Sequence, residues 1–92
     1  MSNVEYVLNG EKFQLVKILR LQRPLGVKGF GKLIEIWILQ SVSNPSKVVV
    51  MSKWQCGGTE MVTVDLVAVG VSVEDVVSHE LNVLSIMAKT NQ

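Results

Sequence analysis

The residues that most resemble reactive machinery lie in one short glycine-rich stretch. Gly26-Val27-Lys28-Gly29-Phe30-Gly31-Lys32 fits G-x-x-x-x-G-K, the opening of a phosphate-binding loop. In such a loop backbone amides and the lysine hold phosphates, and a following Ser or Thr holds Mg²⁺. Here the following residue is Leu33, and the flanking pattern reads as antiparallel hairpins rather than strand–loop–helix. Val62-Thr63-Val64-Asp65 could supply a second acid, but 92 residues are too few for the parallel α/β fold that uses it. Lys28-Gly29-Phe30-Gly31 also shares the start of an aromatic RNA-binding strand motif. Lys32 and Glu35 stand where later aromatics would stack bases, which leaves Phe30 alone.

His79, beside Glu80, is the single histidine and Cys56 the single cysteine. A base–nucleophile pair would require the fold to bring Cys56 to His79. A His–carboxylate pair would use Asp65 or Glu80. Nothing in the spacing demands either, and a lone His with no clustered ligands does not suggest a metal site. Cys56 reads more simply as a buried free thiol, and Trp37 and Trp54 as core or interface residues. No catalytic residue, metal or cofactor is assigned.

Charge is divided along the chain beneath a net +1. From Lys12 to Ile34 every charged residue is basic: Lys12, Lys17, Arg20, Arg23, Lys28 and Lys32. From Trp54 to Ala88 the charged residues are all acidic: Glu60, Asp65, Glu74, Asp75 and Glu80. One reading has hairpin and helix lying together and neutralising each other. The other has the basic stretch recruiting an anion, either a nucleotide-like molecule or nucleic acid. Arg20, Arg23, Lys28 and Lys32 would then contact it, with Gly29 and Gly31 letting backbone amides approach. A 5% aromatic content does not suit a stacking platform for single-stranded nucleic acid.

The elements that must position these residues follow from periodicity. Residues 4–21 predict a hairpin around Asn9-Gly10, a pair suited to a type I′ turn. Residues 22–32 predict a loop, since Pro24 lacks a donor and the glycines favour irregular backbone. Residues 33–42 fit a strand better than a short helix because β-branched residues dominate. Ser43-Asn44-Pro45-Ser46 turns the chain into a strand over Lys47–Cys56. After Gly57-Gly58 a strand is expected over Met61–Val71, apolar on both faces, with Val67, Val69 and Val71 on one of them. Ser72-Val73-Glu74-Asp75 then starts a helix, whose stripe is Val73, Val76, Val77, Leu81, Leu84 and Ala88.

These segments sum to an α+β domain with about five mostly antiparallel strands and one C-terminal helix. Nearly half the residues are hydrophobic, 17 of them Val. One helix covers one sheet face, so the other is expected to meet a second copy or to curl into a half-barrel. Val67, Val69 and Val71 are the expected interface, and a homodimer is favoured. No apolar run approaches the roughly 18 residues of a membrane span, and the first residues lack a signal-peptide pattern. A cytoplasmic, non-catalytic interaction module is the leading expectation. An anion binder is the alternative, and a small enzyme with an interfacial site comes third.

Overall fold

The computed structural model describes residues 5–27, 31–55 and 57–90, with backbone alone for 22–27 and 88–90. Five strands form one antiparallel sheet in chain order: β1 (Glu5–Leu8), β2 (Glu11–Val27), β3 (Gly31–Ser41), β4 (Lys47–Trp54) and β5 (Thr59–Asp65). A one-turn helix, α1 (Leu66–Val69), leads to the long α2 (Val73–Thr90). The sheet is open, with β1 and β5 as its edges. No helix among the described residues is long and apolar enough to cross a membrane.

The first hairpin closes as its sequence predicts. Leu8 pairs with Glu11 across Asn9 (φ 52°) and Gly10 (φ 80°), the two positive angles of the expected turn. Of the expected loop over 22–32, the described residues 22–27 and 31–32 are strand instead. Pairing resumes at Leu25↔Leu33 and continues to Val27↔Gly31, after a register shift that absorbs residues 21–24. Pro24 falls in that shifted stretch, where its missing N–H breaks no ladder bond. Residues 33–41 are strand, as β-branching indicated.

The strand expected over Met61–Val71 stops at Asp65. The Asp65 carboxylate accepts the backbone N–H of Val67 (3.1 Å) and Ala68 (3.2 Å), and Gly70 closes the turn at φ 78° with its N–H on the Leu66 carbonyl. One capping carboxylate and one left-handed glycine thus override the strand preference of the four consecutive apolar residues 66–69. Val67 and Val69 leave the sheet as a result and are 80% and 62% exposed, while Val71 is half-buried.

The core has two parts, one on each face of the sheet. Under α2, Leu19, Leu33, Ile36, Ile38, Val48 and Val50 meet Val76 and Leu84. Leu81 of the expected stripe is half exposed instead. On the opposite face Phe13, Leu39 and Val49 are buried by sheet neighbours alone: Tyr6, Leu8, Leu15 and Met51. Part of the second face therefore shelters itself, contrary to the expectation that all of it needs another layer.

The start of α2 is the expected capping arrangement. The Asp75 N–H donates to Ser72 Oγ (3.2 Å), and the Ser72 N–H donates to Asp75 Oδ2 (2.9 Å). The Ser72 backbone N–H foremost, and the Ser72 hydroxyl after it, hold the Asp75 carboxyl below its ordinary value. A lowered carboxyl stabilises the fold above its ordinary value, and the contribution is lost as pH falls through the lowered one. Ser72→Ala should cost about 1 kcal/mol near neutrality and less in acid, as read by urea unfolding at both pH values.

Candidate self-association edge and groove

β5 pairs with β4 without interruption, from Lys47↔Asp65 to Lys53↔Thr59. At the two ends of this ladder Trp54 N donates to the Gly58 carbonyl (3.0 Å), and Leu66 N donates to the Ser46 carbonyl (2.7 Å). Antiparallel pairs alternate between hydrogen-bonded and non-hydrogen-bonded types. The backbone groups of Glu60, Val62 and Val64 therefore turn inward to β4. Those of Thr59, Met61, Thr63 and Asp65 turn outward, where no strand pairs with them among the described residues.

This edge exposes two apolar side chains and carries two acidic residues, Glu60 and Asp65. Met61 is 55% and Val62 58% exposed, and the strand has no Lys, Arg or Pro. Edge strands are commonly protected by such residues because open N–H and C=O groups template pairing. Glu60 is the one charge before the capping Asp65.

Each side of β5 borders a hollow. On the helix side a groove of about 270 Å³ is lined by Val64, Val69, Val71, Val76, Asp75, His79 and Glu80. Burial pushes the Glu80 carboxyl above its ordinary value, against the pull of the neighbouring His79. On the other side a hollow of about 110 Å³ includes Met61, Thr63, Phe13 and the Glu11–Lys47 ion pair (2.7 Å). The Lys47 ammonium and the Ser41 hydroxyl both donate to Glu11 and hold its carboxyl low.

The structure brings together only some of the residues singled out from sequence. Val69 and Val71 meet at the groove, while Val67 lies on the exposed turn of α1. His79 and Glu80 share that groove, but the Asp65 carboxylate is engaged as a cap. Among the described residues no cluster of His, Cys, Asp or Glu is arranged to hold a metal ion. Cys56, and with it the Cys56–His79 pairing, lies outside the described residues.

In the glycine-rich stretch Gly26 sits opposite Lys32 within the β2–β3 ladder, so the G-x-x-x-x-G-K motif spans a hairpin rather than a strand-to-helix turn. Gly31 begins β3, Lys32 is exposed, and Arg20 reaches Glu35 at 3.5 Å. Lys28 and Gly29 lie outside the described residues, as does the Arg23 side chain. Nearby, Trp37 Nε1 donates to Glu35 (3.2 Å), and Lys53 lies 3.7 Å over the Trp37 ring. Both ion pairs, Arg20–Glu35 and Lys47–Glu11, join strands of the sheet. Among the described residues no ion pair links the basic hairpin to the acidic helix.

The exposed edge residues Met61 and Val62, with Thr63, were not singled out from the sequence, where Val67, Val69 and Val71 were the expected interface. The sequence signal for this edge is that Thr59–Asp65, the last strand before the helices, has no Lys, Arg or Pro. Comparison with family models, with curated proteins and with solved structures finds no match to this chain.

Proposed function

We propose that this chain is a non-catalytic interaction module that works as a homodimer joined along β5. The open β5 edge, on which Met61 and Val62 are exposed, carries this reading. Light scattering over a dilution series through the micromolar range tests the reading. A mass near twice 10.2 kDa that falls on dilution supports it, and a constant monomer mass refutes it.

A second role is favoured by the exposed Lys12, Lys17, Arg20 and Lys32, which give the β2–β3 ribbon a positive surface. In this reading the dimer presents two such ribbons to an anionic ligand.

A further inference from the structure

We infer that the groove between α2 and β5 binds a small primary ammonium carried on an apolar body, with Glu80 as its counter-ion. One wall is α2, where Asp75 and Val76 lie a turn before His79 and Glu80, so all four share one face of the helix. The other wall is Val64 of β5 with Val69 and Val71, which follow it in the chain. The walls are branched aliphatic, and the polar groups gather along the helix.

Charge decides what such a groove takes. Its lining holds two carboxylates and no Lys or Arg. The ion pairs of the described residues, Arg20–Glu35 and Lys47–Glu11, join other strands, and none of the described residues hydrogen-bonds or ion-pairs with the Glu80 carboxylate. His79, its neighbour, acts on it through charge. A half-buried carboxylate among valines has lost part of its hydration, and burial pushes it toward the neutral form. A cation seated beside it replaces that hydration with a charge-assisted hydrogen bond. Asp75, kept ionised by Ser72, adds a second negative charge on the same wall. An anion is not favoured, because Ser72 already caps the start of α2 and the acidic first turn offsets its dipole.

Volume sets the size of the apolar body. A cavity of about 150 Å³ holds benzene, so a groove of about 270 Å³ holds one ring with a short aminoalkyl arm.

The probe is the 2-phenylethylammonium ion, titrated into the full chain while NMR follows the methyl groups of Val64, Val71 and Val76. Its neutral isostere 2-phenylethanol and the anion 3-phenylpropionate are the controls. The ammonium should bind with a dissociation constant of about 1 mM or below, and about ten times more tightly than the alcohol. Glu80→Gln should bring the ammonium to within about threefold of the alcohol and leave the alcohol's own affinity unchanged. The alcohol or the anion binding as tightly as the ammonium would overturn the assignment. So would an ammonium affinity that survives Glu80→Gln, or three valines whose signals do not move at millimolar probe. Self-association is read separately, from the mass of the chain, and does not depend on either result.

Discussion

Met61→Pro should convert the dimer to a folded monomer, weakening self-association about 100-fold or more. The Met61 N–H points away from β4, so proline removes no bond of the existing sheet. It removes the N–H offered to a partner, once in each copy. Each lost bond counts for roughly 1–1.5 kcal/mol, and the two together for roughly two decades in dissociation constant. The proline ring at the contact adds to the loss. Val62→Pro is the informative contrast, since the Val62 N–H faces Val50 within the β4–β5 ladder and its removal should destabilise the protomer itself. Sedimentation analysis with far-ultraviolet circular dichroism separates the outcomes. A Met61→Pro chain that is still dimeric would exclude β5 as the contact.

Leu39→Ala should be among the most damaging of the simple truncations, at about 2–5 kcal/mol. Leu39 is 0% exposed, although no helix packs on its side of the sheet. Phe13 and Val49 press against it, with Tyr6, Leu8, Leu15 and Met51 around them, so deletion opens a cavity that the pleated backbone cannot close. A domain of this length has roughly 5–14 kcal/mol of stability, so the change removes a large share of it. Urea unfolding at fixed protein concentration measures the loss, because a dimer's midpoint also moves with concentration. A cost below about 1 kcal/mol would show that this second cluster is loosely packed.

Local signals in the sequence were dependable where backbone chemistry and pattern agreed. Asn9-Gly10 specified its turn, Ser72 and Asp75 specified the helix start, and β-branching decided the strand over residues 33–41. They misled where a single side chain outweighed a run of apolar residues. Asp65 and Gly70 end β5 and wind 66–69 into a helical turn, although Val-rich sequence there favours strand. The ribbon formed by β2 and β3 was equally hidden, because Pro24 and the glycines disguise pairing that resumes at Leu25↔Leu33.

For the candidate site, composition showed an apolar surplus and divided charge. It could not show which apolar residues remain exposed, because that depends on strand order. β5 is an edge only because β4 lies on one side of it and nothing among the described residues lies on the other. Met61 and Thr63 are the residues whose backbone groups face outward there.

Amide hydrogen exchange at β5 tests the central claim most directly. In a β5-joined dimer the Met61 and Thr63 amides should exchange as slowly as those of Val62 and Val64, and should speed up on dilution. Rapid exchange at Met61 and Thr63 at every concentration, with Val62 and Val64 still protected, would contradict the account.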